Sequence, residues 1–353
     1  MGMPGMNMSF SEKASTVIKR GEKGIVALIL KDKIPSKNPL ELIPGDSVTG
    51  LTADNKKQIE LAMMGYVNPP KKVLAYVIGT DAEDYEEAFT AYDVLKWDYL
   101  VSPTCETDGQ TQAVVSYIKS RRSSGKMVKA VLPNTAADNE GIINYTTESV
   151  TDEDGTTYTT EQYCARIAGI IAGTPLSIAC TYAPLTELSD CKRLPKSQMD
   201  TAVENGQLIV YHDGEKVKVA RGVNSLTTVT AEKGDKFKKI KIVETMDIIK
   251  DDITKTVEDS YLGKYPNTYD NKCLLVSVIS NYFNTLIREN VLSSASVEID
   301  VVANKTYLQE SGIDTSDMSD DDLKRAATGD KVFLKAKITI LDAIEEITLP
   351  ITI

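Results

Sequence analysis

One histidine in 353 residues leaves little room for acid–base or metal chemistry. A Ser-His-Asp or Cys-His site would have to use His212, which sits beside Asp213-Gly214, a dipeptide that marks a turn. A zinc site would need a second histidine or a close cysteine pair. The five cysteines, Cys105, Cys164, Cys180, Cys191 and Cys273, are odd in number, widely spaced and without a C-x-x-C. They read as buried thiols in a reducing compartment. The Gly125-Lys126 pair lacks the following Ser/Thr and the earlier glycine of a phosphate-binding loop. The acidic clusters at 151–154 and 314–322 lack the oxygen spacing of a calcium loop. No apolar run approaches the roughly 18 residues of a membrane span. A net charge of −11 argues against a general nucleic-acid binder and against docking on an acidic membrane. The first ten residues have no basic and apolar regions of a secretory signal, and Met6 stands where a myristoylation signal needs Ser/Thr. No catalytic residue, cofactor site or metal site is expected.

What is present is an alternation of two periods. IVALIL (25–30), VLAYVIG (73–79), DYLVSP (98–103) and KMVKAVLP (126–133) read as strands. Continuous apolar runs of this length suit strands buried on both faces. Between them DNKKQIELAMMGY (54–66), DAEDYEEAFTAYDVLK (81–96) and GQTQAVVSYIKSRR (109–122) have helical spacing. That alternation predicts an α/β body with a mostly parallel sheet. After IINYTT (142–147) and an acidic turn at 151–157, EQYCARIAGIIAG (161–173) is a helix whose Gly169 and Gly173 suggest tight packing.

The second half differs. LIVYHDGEKVKV (208–219) is a hairpin turned at Asp213-Gly214. IKIVETMDIIKDDITKTV (240–257) is expected to begin as a strand and become a helix with Met246, Ile249, Ile253 and Val257 on one face. LLVSVISNYFNTLIREN (274–290) is a long amphipathic helix. Ser319 is a predicted N-cap, with Asp320, Asp321 and Asp322 at the positive end of the dipole, Met318 stapled on Leu323 and Gly329 as the stop. VFLKAKITIL (332–341) reads as a strand.

Both termini carry a period-2 pattern outside this body. Met6, Met8 and Phe10 alternate with polar residues at one end, and Ile347, Leu349, Ile351 and Ile353 at the other. Pro350 interrupts the second ladder. Such strands pair either within their own chain or with another chain. Two readings of the whole remain: an assembly protein, which needs no reactive parts, or a soluble α/β enzyme or ligand-binding protein with a pocket at the strand carboxyl ends.

RGVNSLTTVT (221–230) resembles the signature of contractile tail sheath proteins of myophages and of R-type, phage-tail-like bacteriocins of Gram-positive bacteria. FSEKASTVIKRGEKGIVALIL (10–30), CARIAGIIAGTPLSIACTY (164–182), IKIVETMDIIKDDI (240–253), YLGKYPNTYDNK (261–272) and VFLKAKITILDAIEEITLPITI (332–353) extend the resemblance over nearly the whole chain. It is closest to compact sheath proteins without large outer domains. The resemblance implies an α/β body, subtilisin-like in part but without catalytic residues, an α+β C-terminal domain, and extended N- and C-terminal strand arms. The chain then divides into an arm (1–20), an N-terminal α/β portion (21–97), a central α/β sheath domain with the hairpin (98–239), a C-terminal α+β domain (240–342) and a second arm (343–353). It further implies a helical homopolymer of hexameric rings around an inner tail tube protein, with baseplate and tail terminator proteins as further partners, and neither nucleic acid nor membrane bound by the sheath itself. The arms would add strands to a small sheet in a neighbouring subunit. Contraction would drive the tube through a target envelope, without nucleotide hydrolysis. Assembly in the bacterial cytoplasm, within a phage tail or bacteriocin particle released later, is implied as well. Lys264, Lys272, Lys324 and Arg325 become candidate tube contacts.

Overall fold

The computed structural model describes residues 17–18 and 23–352. Met6, Met8, Phe10 and Ile353 lie outside the described residues. The chain divides into two compact units. The larger runs up to Asp251 and takes in the chain again from Asp342; the smaller runs from Asp252 to Leu341.

In the larger unit the chain forms β1 (Ile25–Lys31), β2 (Leu40–Leu42), α1 (Ala53–Met63), β3 (Lys72–Ile78), α2 (Glu86–Asp93), β4 (Tyr99–Val101), α3 (Thr111–Ser123), β5 (Lys129–Pro133) and β6 (Ile142–Tyr145). There follow β7 (Ser149–Asp152), β8 (Thr157–Thr159), α4 (Thr160–Ala172), β9 (Leu188–Cys191), α5 (Lys196–Glu204), β10 (Gln207–Leu208), β11 (Val210–His212) and β12 (Val217–Val219). The central sheet has seven strands in the order β10-β6-β5-β4-β1-β3-β2. All its neighbours pair in parallel except β2, which runs antiparallel to β3 at the edge.

The period-2 alternation explains why β1 and β3 lack a polar face. Val26, Leu28 and Leu30 of β1 join Val73, Ala75 and Val77 of β3 in one core, beneath α1 and α4. Ile25, Ala27 and Ile29 join Leu74, Tyr76 and Ile78 in a second core, beneath α2 and α3. Each strand thus feeds two cores, and both sets of side chains are apolar. A three-stranded antiparallel sheet (β8-β7-β9) and the β11-β12 hairpin flank this body. The hairpin turns at Asp213-Gly214 as expected.

Helix α4 packs so closely on α1 that a Cβ at Gly169 would stand 2.2 Å from the carbonyl oxygen of Ala62. At Gly173 it would stand 2.0 Å from that of Asn68. Glycine at these positions is therefore a requirement of close backbone approach.

Helix α6 (Ile240–Ser260) corrects an expectation, because it is helical from its first residue. Its opening turns, Ile240 to Thr245, are buried all round, so no polar face shows the helical period and the β-branched run imitates a strand. Of the four apolar residues expected on its later face, Ile249 alone is fully buried.

The smaller unit holds α7 (Tyr269–Arg288), β13 (Leu292–Ile299), α8 (Val301–Glu310), α9 (Asp320–Arg325) and β14 (Leu334–Ile340). Helix α7 buries Val278, Ile279, Tyr282, Phe283 and Leu286 and packs on β13. Strands β13 and β14 form an antiparallel two-stranded sheet. Ser319 caps α9 in a capping box with Asp322. The helix stops at Arg325, not Gly329, because Ala326 turns to extended backbone (φ −58°, ψ 146°).

Candidate assembly site

The period-2 pattern of the C-terminus predicts a strand, yet residues 341–352 form none in the isolated chain. Ile344, Ile347, Leu349 and Ile351 are 86, 83, 74 and 77% exposed. Four large aliphatic side chains along one short segment are an unusual thing to leave in water.

One residue of this segment is held tightly. The Glu345 side chain is only 8% exposed. Its Oε1 accepts the Thr181 hydroxyl at 2.6 Å. Its Oε2 accepts Arg221 Nε at 3.1 Å, Arg221 Nη2 at 2.9 Å and Lys239 Nζ at 3.0 Å. Burial works to raise the Glu345 carboxyl, but the bonds from Thr181, Lys239 and Arg221 outweigh it and hold it below its ordinary value. Lys239 also reaches Asp342 at 2.6 Å, and Arg221 reaches the exposed Glu346 at 3.2 Å.

The donors are themselves positioned. Thr181 Oγ1 accepts the Gly222 N–H at 3.0 Å, and Gly222 lies next to Arg221. The Ile240 N–H donates to the Gly222 carbonyl at 3.0 Å, which sets Lys239 at the mouth of α6. Beyond Gly222 the segment is sewn to the body. Ser225 donates its N–H to the Ile142 carbonyl and its hydroxyl to the Asn139 carbonyl. Asp138 accepts the N–H groups of Thr227 and Thr228 at 2.7 and 2.9 Å. So RGVNSLTTVT is a structural seam, with Arg221 at its outer end. This clamp was not read from the sequence. Its only local signals are Arg221 heading that segment and the Glu345-Glu346 pair just before the apolar alternation.

The candidate tube-contact residues fall apart into two groups. Lys272 is 3% exposed, and its Nζ donates to the Ala326 carbonyl at 3.2 Å and the Thr328 hydroxyl at 3.1 Å. Burial pushes its ammonium below the ordinary lysine value. It anchors the loop after α9, which removes it from the surface charges. Lys324 pairs with Asp321 at 3.4 Å, Arg325 lies 4.3 Å over the Tyr269 ring, and Lys264 donates to the Asp259 carbonyl.

At the carboxyl ends of the central strands, polar groups are spent on one another. Asp32 accepts from the Lys33 N–H, the Thr52 N–H and hydroxyl, and Asn55. Burial raises its carboxyl, but these bonds win and hold it near 2. Asp108 takes Lys31 at 2.7 Å, Tyr85 at 2.6 Å and Thr104 at 2.7 Å. His212 accepts the Gly214 N–H on Nδ1 at 2.9 Å. Cys105, Cys164, Cys180 and Cys191 are buried free thiols and Cys273 is half-buried. Among the described residues no His/Cys/Asp/Glu group is placed to hold a metal, and no helix is long and apolar enough to cross a membrane.

Comparison with known proteins places this geometry. Residues 79–225 match the phage tail sheath protein central domain, and residues 232–353 the phage tail sheath C-terminal domain. The tail sheath protein of Clostridium phage phiCD119 is 38% identical over 354 aligned residues, covering 99% of this chain and 98% of the relative. A sheath tail protein of Desulfitobacterium hafniense shares the fold with a TM-score of 0.71 at 20% identity, over 84% of this chain and 94% of that one. The contracted helical sheath of the anti-feeding prophage matches at 0.70 and 14% identity, over 100% and 99%.

Proposed function

The chain belongs to the phage tail sheath family, and from that premise we propose how this structural subunit, which is not an enzyme, makes a polymer. Its C-terminal arm leaves the body at Glu346 and pairs as a strand in a neighbouring copy. The observation that carries the reading is the exposed alternation of Ile347, Leu349 and Ile351 directly beyond the buried Glu345. An exposed period-2 segment without a partner strand is suited to strand addition. Among the described residues the two-stranded sheet of β13 and β14 has an unpaired edge on each side. Met6, Met8, Phe10 and Ile353 are assigned the same task at the two ends.

Such contacts repeat head to tail, and a head-to-tail interface that does not close gives a helix. Each large aliphatic side chain buried contributes about 1.5–3 kcal/mol, and every subunit repeats the joint. The polymer surrounds an inner tube protein, meets baseplate and terminator proteins at its ends, and is assembled in the cytoplasm before release. Contraction draws on repacking of subunit contacts from a kinetically trapped extended state.

The test is sedimentation of the chain lacking residues 347–353, and of Ile347→Asp with Ile351→Asp, beside the unaltered protein. Circular dichroism checks folding. A folded monomer that forms no tubes is the expected result. Tubes of normal length from the truncated chain would overturn the reading.

A further inference from the structure

The clamp on Glu345 lies beside the other end of the folded body. Lys239 stands immediately before α6, and Glu244, one turn inside α6, receives the ammonium of Lys23. Lys23 lies two residues before β1. Thus Lys23, just before the sheet, and Glu345, where the chain leaves the body, are tied at Glu244 and Lys239, on either side of the first turn of α6. Outside those ties the packing stops abruptly. The Glu345 side chain is 8% exposed; that of Glu346 is 82% exposed but still bonded to Arg221 at 3.2 Å, and Ile347 beyond it is 83% exposed.

We propose that Thr181, Arg221 and Lys239 form a fixed root for the C-terminal arm, with the hinge between Glu346 and Ile347. The root is a positioning site: it sets where the arm departs and holds the arm to the body when a neighbouring copy pulls on it. A pull entering at Lys23 and a pull leaving at Glu345 meet on the first turns of α6. The load comes from the sheath reading, on which this part rests; the root and hinge do not depend on it.

The chemistry suits the task. A carboxylate held by four donors does not let go one bond at a time without leaving its charge buried and under-bonded. Three of those donors sit on residues 181 and 221, far from the arm in sequence, so a pull is spread into the seam rather than along the chain. A merely local bond of the arm to its own neighbours would yield at once.

The experiment uses the full-length subunit, unaltered and as Glu345→Gln, and as Arg221→Gln with Lys239→Gln. Backbone nitrogen relaxation on the monomer reads where fast motion begins. Restricted motion through Glu346 and fast motion from Ile347 is the expected unaltered profile. In both variants the boundary should retreat to about Asp342, while circular dichroism stays that of the folded protein. The swap Glu345→Arg with Arg221→Glu should return the boundary toward Glu346. The concentration needed for polymerisation should rise about tenfold in the variants, the change that 1.4 kcal/mol makes in an equilibrium. A boundary that stays at Glu346 in both variants overturns the root. A boundary that retreats with unchanged polymerisation overturns its role in holding the arm against a neighbour's pull. If the unaltered protein forms no polymer but the boundary retreats as expected, the root stands and the sheath reading of the arm falls.

Discussion

Lys129 and Glu244 face each other at 2.9 Å with side chains 4 and 5% exposed, joining the central sheet to the first turns of α6. Asp247 stands 2.8 Å from the same ammonium and takes Arg122 at 2.9 Å. Removing one member leaves a buried carboxylate short of a cation, which typically costs about 3–5 kcal/mol. Lys129→Met is therefore expected to lower the melting temperature by roughly 6–20 °C for a unit of this size. Lys129→Met together with Glu244→Leu should recover part of that loss. A single variant that melts with the unaltered protein would show that Arg122 and Lys23 alone satisfy the two carboxylates.

The same pair predicts an acid response. Burial by itself would raise the Glu244 carboxyl, but the charges of Lys129 and Lys23 and their hydrogen bonds outweigh it and hold it at about 2, below the ordinary 4.5. A carboxyl depressed in the folded state contributes stability above its unfolded value and loses it as pH falls through the folded one. The contribution of Glu244 should therefore be complete above pH 4.5 and fade toward pH 2. Melting of unaltered protein and Glu244→Gln across that range reads it directly. The gap between the two should close as the solution is acidified; a gap that widens contradicts the assignment.

Gly169 predicts a steric response with no charge in it. A methyl group there would lie 2.2 Å from the Ala62 carbonyl oxygen, so α1 and α4 must separate. Overpacking of this kind costs about 1–3 kcal/mol. Gly234, around which an added Cβ meets nothing within 4 Å, is the control. Gly169→Ala should melt several degrees lower than Gly234→Ala in thermal denaturation, and equal melting would mean that the helices have room to part.

What the sequence made legible follows from where the physics was local. IVALIL and VLAYVIG announced strands because both faces of the sheet are covered, and no competing period disturbs an unbroken apolar run. Ser319 and Asp322 announced a helix start because a cap is built within four residues. The opening of α6 misled because complete burial erased the helical period. β13, with LSSASVEI, escaped notice because its serines dilute the alternation. The clamp could not be read at all: Arg221 and Glu345 are 124 residues apart, and only the fold brings them to 2.9 Å. The alternation at 347–353 reads as a strand, yet residues 341–352 form none, and Met6, Met8 and Phe10 lie outside the described residues.

The last prediction concerns the charges assigned to the tube. Among the described residues Lys264, Lys324 and Arg325 have little to do. Lys324 meets Asp321 in an exposed pair, of a kind worth about 0–1 kcal/mol. Arg325 lies over Tyr269, a contact worth about 0.5–1 kcal/mol at an exposed site. Reversing all three to glutamate should therefore leave the fold intact, with the melting temperature down by no more than a few degrees. If this face meets the tube, the loss appears only when the partner is present. Co-sedimentation with purified tube protein should fall in the triple variant. The salt dependence seen with unaltered protein should flatten as well, since exposed charges are screened over roughly 8–10 Å at physiological ionic strength. Lys272→Met separates the two groups: buried against Ala326 and Thr328, it should destabilise the smaller unit without a specific effect on tube binding. Undiminished co-sedimentation of the triple variant at every salt concentration would place the tube contact on another face.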